Sequence, residues 1–297
     1  MYLEHYGLNR LPFEMTPDPS MLYLGEAHRE GLATLVYAVQ AGKGFCVLTG
    51  EVGTGKTTLL HALLSQLEGN TASAFIFNPQ LEPLDFFRLV FDEYGIDARC
   101  EGKADFLLAL NRFLIDRLSR NEKTLLIIDE AQVLPPKMLE EVRLLSNLET
   151  PNAKLLQIIL VGQPELSEVL ARPELRQLRQ RVVLRHHLRP FDEKELEDYV
   201  DERLSLAGYT GRGIFKRGAR KELFRVTGGV PRLVNVVCDG ALLGGYAQGL
   251  TTLGADAIEE VARGLHLTGE DGEFSASSEH ESAPTIKKRG WLRRRRR

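Results

Sequence analysis

The sequence predicts an α/β fold, in which helices flank a parallel sheet of five strands and a small all-helical domain follows. Five short runs of β-branched and aliphatic residues alternate with amphipathic stretches up to about residue 190, and only helical patterns follow Phe191. Runs that are apolar at every position are typical of strands covered on both faces. Their alternation with helices predicts right-handed crossovers and a doubly wound sheet.

The individual elements follow from the same patterns. The predicted strands occupy 44–49, 73–78, 124–129, 155–162 and 181–186. The predicted helices occupy 56–67, 83–94, 104–118, 136–148, 192–207, 215–226, 231–248 and 255–265. We therefore expect an α/β domain over 1–190, a helical domain over 191–268 and a tail over 269–297, which begins with a polar, acidic stretch whose composition predicts disorder.

Composition and charge exclude several classes of protein. The net charge is −3, but the last eleven residues hold eight of the 38 lysines and arginines, and the rest has 30 basic against 41 acidic residues. A globally basic nucleic-acid-binding protein is therefore excluded. The three cysteines lack the spacing of a zinc site or a disulfide framework. Since no signal peptide and no apolar stretch of about 20 residues is recognisable, we expect a cytoplasmic location.

A phosphate-binding motif follows the first predicted strand. The octapeptide GEVGTGKT matches GxxxxGK[ST] and leads directly into a predicted helix, a context that disfavours a glycine-rich turn without nucleotide. Its glycines allow successive backbone N–H groups to face a β-phosphate. Lys56 is expected to reach the β- and γ-phosphates of ATP and Thr57 to bind Mg²⁺, while Thr58 caps or packs. The expected nucleotide-binding residues are Gly50, Glu51, Val52, Gly53, Thr54, Gly55, Lys56, Thr57 and Thr58.

Two carboxylates end the third predicted strand. Asp129 and Glu130 directly follow an apolar run, about 70 residues after Lys56. They look like a Walker B element, in which Asp129 holds Mg²⁺ and Glu130 polarises a water for in-line attack on the γ-phosphate. We expect their strand to lie beside the strand that precedes the phosphate loop. The alternative is a surface turn with ordinary acidic residues.

Four further residues have the chemistry of sensors or of an arginine supplied in trans. Gln163 follows the fourth strand, at the sheet edge where ligands bind in open α/β folds, and either orients the attacking water or caps the next helix. Arg176 and Arg181 are candidates for reaching the γ-phosphate of an adjacent subunit, with a solvated basic edge as the alternative. Arg232 lies at a predicted helix start and is expected to point back toward the nucleotide.

Together these motifs resemble one family of AAA+ ATPases. In this order the chain contains MYLEHYGL, PFEMTPDPSMLYLG, HRE, GEVGTGKTT, LLIIDEAQ, LVGQPEL, LRQLRQRV and TGGVPRLVN, all within about residues 1–266. The set is similar to the general secretion pathway protein A ATPases, with relatives in exopolysaccharide or exosortase systems and, more remotely, among transposition ATPases. The resemblance implies a P-loop AAA+ module with a helical lid domain, self-association, and ATP turnover coupled to secretion or envelope assembly proteins. It also implies that Pro17 and Tyr23 line the adenine pocket, unless they only pack against the first helix.

The end of the sequence departs from that family. Secretion members continue into a membrane helix and a periplasmic peptidoglycan-binding region, so a chain ending at Arg297 is either a short relative or one cut ahead of an anchor. Its terminal basic run suits an anionic membrane surface, which would make the protein peripheral at the inner face, or nucleic-acid phosphates, or solvent alone. Two other functions stay open: a DNA-binding ATPase that regulates transposition, and a nucleotide-dependent assembly switch with little turnover.

Overall fold

A computed structural model describes residues 1–15, 21, 23–67, 69–77 and 82–267. The predictions made for Pro17 and for the tail over 269–297 lie outside these residues. None of the helices in the described ranges is both long enough and apolar enough to cross a membrane.

Five strands in the described chain form one parallel sheet, which confirms the predicted fold class. They are β1 (Phe45–Gly50), β2 (Thr71–Ile76), β3 (Lys123–Ile128), β6 (Gln157–Gly162) and β7 (Val182–Leu188). Their order across the sheet is β2–β3–β6–β1–β7, and every neighbouring pair is parallel. A small antiparallel hairpin of β4 (Glu149–Thr150) and β5 (Ala153–Lys154) precedes β6.

Helices surround this sheet, and more of them exist than the patterns predicted. Those up to β7 are α1 (Leu3–Tyr6), α2 (Glu26–Gln40), α3 (Lys56–Leu67), α4 (Pro83–Tyr94), α5 (Lys103–Ser119), α6 (Pro136–Leu145), α7 (Glu165–Ala171) and α8 (Arg176–Arg181). After β7 come α9 (Glu193–Leu206), α10 (Arg217–Thr227), α11 (Pro231–Ala247) and α12 (Ala255–Gly264). The sequence patterns missed α1, α2, α7 and α8.

The strand order corrects one prediction. The strand that carries the acidic pair, β3, does not lie beside β1, because β6 pairs with both of them and separates them. After β1, the chain forms β2 at the edge of the sheet and β3 beside β2. The next strand of the sheet, β6, lies between β3 and β1. Right-handed crossovers permit this order as readily as the predicted one, so the strand patterns could not distinguish the two. As a result, Gln163 follows the strand between the phosphate loop and the acidic pair.

The edge strand β7 also departs from the prediction of two buried faces. It exposes Val183, Arg185 and His187 on one face, whereas β1 and β6 are buried at every position. Helix α2 packs against β7. Because side chains alternate between the two faces of a strand, cover on one face alone leaves every second residue in solvent.

The apolar core has three parts. Alternate β1 residues enter the two clusters on opposite sheet faces, with Phe45 in one and Cys46 in the other. A third cluster joins α9–α12 with the N-terminal residues Tyr2, Tyr6 and Phe13. The N-terminal segment therefore packs with the C-terminal helices, although the sequence assigned it to the sheet domain. The division of the chain at residue 191 stays a prediction.

Candidate nucleotide site

The phosphate loop connects the end of β1 to the start of α3 in a conformation that needs glycine. Gly53 and Gly55 have φ values of 81° and 94°, which side chains rarely adopt. A Cβ on Gly53 would lie 2.7 Å from the Cβ of Arg232, and one on Gly55 would lie 3.1 Å from Nε2 of His28. Arg232 thus leaves no space for a Cβ on Gly53, and His28 leaves little space for one on Gly55.

Lys56 begins α3 beneath this loop. Its ammonium donates to the carbonyl oxygens of Gly50 at 2.7 Å and Glu51 at 3.0 Å. Burial lowers the pKa of Lys56, and the charges of Glu130 and Asp129 oppose that shift. These interactions place a buried cation of the P-loop within the field of the acidic pair.

The acidic pair follows β3, and Asp129 is buried. Burial raises the pKa of Asp129, while hydrogen bonds from the backbone N–H of Glu130 and from the Thr57 hydroxyl oppose the shift. The backbone bond measures 2.9 Å. The hydroxyl of Thr57 and the carboxylate of Asp129 therefore form a pair of hard oxygen donors, a set that fits Mg²⁺. Thr58, the next residue, is partly buried in the first turn of α3.

Glu130 holds its carboxylate between two amides. Its backbone has a φ of 51°, in the left-handed region. Its Oε2 accepts from Nε2 of Gln132 at 2.5 Å and from Nε2 of Gln163 at 3.4 Å. The structure thus brings Gln163 to Glu130, as the position of β6 requires. Gln132 had been assigned no role from the sequence, and its place two residues after Glu130 was the only signal.

Arg232 lies against the phosphate loop. Its backbone N–H donates to the carbonyl of Gly53 at 3.2 Å, and its side chain is exposed. The turn before it needs Gly229, whose φ is 74° and where a Cβ would overlap the carbonyl oxygen of Phe191. A cavity of about 550 Å³ opens beside this turn and is lined by Glu51, Val52, Gln163, Thr227, Gly228, Val230, Arg232 and Leu233.

His28 is a further contact of the phosphate loop that sequence reasoning missed. From α2, its Nε2 donates to the Thr54 carbonyl at 2.9 Å. Its ring packs at 5.2 Å from that of Phe191. Burial lowers the pKa of His28, with the bond to Thr54 opposing the shift, so the neutral imidazole with its proton on Nε2 fits this position. The motif HRE was the only sequence signal.

Tyr23 packs against two other aromatic rings, and its expected place in an adenine pocket stays a prediction. Its ring packs edge-on against Phe191 at 5.5 Å and Tyr199 at 5.6 Å. This places Tyr23 in the cluster that includes α9–α12, near the ring of His28 through their shared neighbour Phe191.

The two arginines expected to act in trans differ in their surroundings. Arg181 donates to Oδ1 of Asn147 at 2.6 Å and also to the hydroxyl of Ser146, so it is tied to the end of α6 of its own chain. Arg176 begins α8 and is exposed, and no hydrogen bond or ion pair joins its side chain to another described residue. Of the two, Arg176 is the one whose guanidinium has no partner among the described residues.

The fold and this set of residues define a P-loop nucleotide-binding module, and residues 39–170 match the family model described as an AAA domain. Over 250 residues the chain is 44% identical to the general secretion pathway protein A of Aeromonas hydrophila, a match that covers 84% of this chain and 46% of that protein. The resemblance seen in the motifs is confirmed, and the chain spans about half the length of this relative.

Solved structures share the fold at low sequence identity. The ORC2 protein of Aeropyrum pernix, solved as ADPNP–ADP complexes, is 18% identical with a TM-score of 0.62, over 86% of this chain and 71% of that one. Cdc6p of Pyrobaculum aerophilum is 16% identical with a TM-score of 0.65, over 85% and 70%. The RuvB Holliday junction branch migration motor of Thermotoga maritima is 21% identical with a TM-score of 0.51, over 82% and 70%. These likenesses show a shared fold.

Proposed function

We propose that this chain is a Mg²⁺-dependent ATPase. The observation that carries the proposal is the convergence of three strand ends: Lys56 after β1, Asp129 with Glu130 after β3, and Gln163 after β6. A phosphate-binding cation, a pair of oxygen donors and a carboxylate held by amides are the parts that phosphoryl transfer to water requires.

Each of these residues has a proposed part in hydrolysis. The loop N–H groups and Lys56 bind the β- and γ-phosphates. Thr57 and Asp129 would hold Mg²⁺, which neutralises developing negative charge when bound. Glu130 accepts a proton from the attacking water, and Gln163 orients that water. Arg232, on the turn that contacts Gly53, reaches toward the phosphates from the cavity.

Full turnover needs a second copy of the chain in this proposal. The charge that develops on the γ-phosphate in the transition state is stabilised when an arginine enters from an adjacent subunit. Arg176 is the better candidate because its guanidinium has no partner among the described residues, whereas Arg181 is engaged within its own chain. Self-association then becomes a condition for activity.

The work that hydrolysis drives is proposed from the relative with 44% identity, whose name places it in the general secretion pathway. We infer that the chain energises secretion or assembly of the cell envelope, together with proteins of that system, at the cytoplasmic face of the membrane. Because the chain spans 46% of that relative, the inference concerns the ATPase module alone.

Phosphate release from ATP by the unmodified chain tests the proposed activity. Release should require Mg²⁺, stop on addition of EDTA, and rise more steeply than linearly with protein concentration. A rate that stays at the buffer blank at every protein concentration would contradict the proposal, and so would a rate that EDTA leaves unchanged.

A further inference from the structure

The amide of Gln132 bridges the ends of two strands. Gln132 lies in the short turn after β3, where its Oε1 accepts from the backbone N–H of Gln163 at 3.2 Å, beyond the end of β6. Its Nε2 donates to Oε2 of Glu130 at 2.5 Å. Both ends of one side-chain amide are therefore used, one on a backbone donor and one on the carboxylate.

Only one orientation of this amide satisfies both contacts. The backbone N–H of Gln163 can only donate, so the carbonyl oxygen of the Gln132 amide must face it and the NH₂ must face Glu130. The close approach also requires Gly162, because a Cβ at that position would clash with Oε1 of Gln132. The bridge is thus built from both strand ends, with a glycine that makes room for it.

Glu130, whose carboxylate Gln132 binds, has an unfavourable backbone conformation. The left-handed φ of 51° at Glu130 is uncommon for a residue other than glycine, asparagine or aspartate. The N–H of Glu130 is fixed on Oδ1 of Asp129 at 2.9 Å, and its side chain is fixed by Gln132. These contacts hold the carboxylate in one place at the mouth of the phosphate loop.

We propose that Gln132 is a positioning residue for ATP hydrolysis, which fixes the Glu130 carboxylate through Oε2 and leaves Oε1 to accept the proton of the attacking water. The proposal rests on the proposed function of Glu130 as the base. Both polar atoms of the Gln132 amide are already used on Glu130 and on the backbone of Gln163, so we expect it to act on the chemical step and not on nucleotide affinity.

Two substitutions separate positioning from a purely structural role. Gln132→Glu keeps an oxygen for the N–H of Gln163 but cannot donate to Glu130, and it adds a second carboxylate. Gln132→Met keeps the length of the side chain and removes both bonds. Each should lower kcat by about 100-fold, because a displaced base no longer meets its water. The affinity for ATP and the thermal unfolding midpoint should stay near those of the parent and of the exposed control Gln248→Met.

A double variant tests whether Gln132 acts on the rate through Glu130. In the chain that carries Glu130→Gln, adding Gln132→Met should change the residual rate by about twofold or less, because residues that act as a unit are not additive. Parental kcat in Gln132→Glu, or an additional loss of about tenfold in the Glu130→Gln background, would overturn this proposal alone. Parental turnover by Glu130→Gln itself would overturn the proposed base and this proposal together. If Gln132→Met is unfolded, Gln132→Glu decides the matter.

Discussion

The properties of the site residues come from their burial and from the charges placed beside them. Burial lowers the pKa of Lys56 and raises the pKa of Asp129, so for each residue the surroundings disfavour the charged form. Their opposite charges offset part of this effect. Loss of Lys56 would leave Asp129 without its compensating cation, whereas loss of Asp129 would still leave Lys56 with the charge of Glu130.

Replacement of Lys56 by alanine should abolish ATP binding. The ammonium that neutralises the phosphates is lost, and Asp129 and Glu130 are left without the cation whose charge acts on them. We expect the affinity for ATP to fall by about 100-fold or more, as measured by calorimetric titration, since charge-assisted hydrogen bonds are the strong ones. The distant exposed change Gln248→Met serves as the control. ATP affinity within about threefold of the parent would refute the role given to Lys56.

Some of the site residues were within reach of sequence analysis and others were not. Short contiguous motifs predicted four of the site residues: Lys56, Thr57, Asp129 and Glu130. Each motif follows a predicted strand and has residue types that suit phosphate or Mg²⁺ binding. His28 and the turn at Gly229 acquire their roles only through contacts with residues far away in the chain, at Thr54 and Phe191. No local pattern records such contacts.

At the scale of elements, the turn between α10 and α11 contacts the phosphate loop through a backbone hydrogen bond. The turn between α10 and α11 gives a backbone bond from Arg232 to Gly53, and Gly229 accepts from the N–H of Phe191 at 3.0 Å. These are backbone contacts and depend on the shape of the turn more than on its side chains. The pair of glycines at 228 and 229 is what makes that shape possible.

Alanine substitutions at the two glycines should have unequal effects. Gly228 has a φ of 56° and nothing within 4 Å of an added Cβ, so Gly228→Ala should destabilise the fold by only about 1 kcal/mol. Gly229 has a φ of 74° and no space for a Cβ beside Phe191, so Gly229→Ala should cost clearly more and also weaken ATP binding. Urea unfolding and nucleotide titration measure the two effects. Equal losses from both substitutions would contradict this description of the turn.

The contact between α2 and the phosphate loop predicts a pH dependence. The pKa of His28 is lowered from 6.5 in the fold, so below that value the unfolded chain binds a proton that the folded chain does not. Stability should therefore be at its full value above about pH 6.5 and decline as the pH falls further.

The free energy of unfolding in urea, compared at pH 7.5 and pH 5.5, measures this decline. His28→Gln, which can still donate to Thr54 and does not titrate, should reduce the difference between the two pH values. The matched control is His61→Gln, at an exposed position on α3. An unchanged pH difference in His28→Gln would show that the burial of this imidazole is not the cause.

At the scale of the whole molecule, the sequence predicted a sheet flanked by helices but did not predict the order of the strands within that sheet. The apolar patterns of β1, β3 and β6 identify these strands as buried, and burial is the same whichever two of them are neighbours. The predicted adjacency of β1 and β3 was wrong for this reason. Helix α8 was missed because its six residues include three arginines, RQLRQR, and bury only Leu178.

A mixing experiment tests whether subunits complete one another. Arg176→Ala should retain an intact nucleotide site but supply no arginine to its neighbour, and Lys56→Ala should supply the arginine but bind no ATP. Each variant should be inactive alone. Their mixture should regain phosphate release, because in mixed assemblies an intact Arg176 faces an intact Lys56.

Arg181, five residues further along the chain, provides the contrast. Arg181→Ala removes the bonds to Asn147 and Ser146 at the end of α6, so it should lower the thermal unfolding midpoint. Because Arg176 is intact in this variant, its mixture with Lys56→Ala should still release phosphate. A mixture of Arg176→Ala and Lys56→Ala that is no more active than its separate components would contradict the trans role of Arg176.

The most direct measurement of the central claim is the identity of the nucleotide that the Glu130→Gln chain retains after incubation with Mg-ATP. If Glu130 is the base for water attack, the variant should bind ATP as the parent does, release phosphate only at a small residual rate, and retain mostly intact ATP, while the parent retains ADP. Retention of ADP by the variant, with phosphate release at the parental rate, would contradict the account.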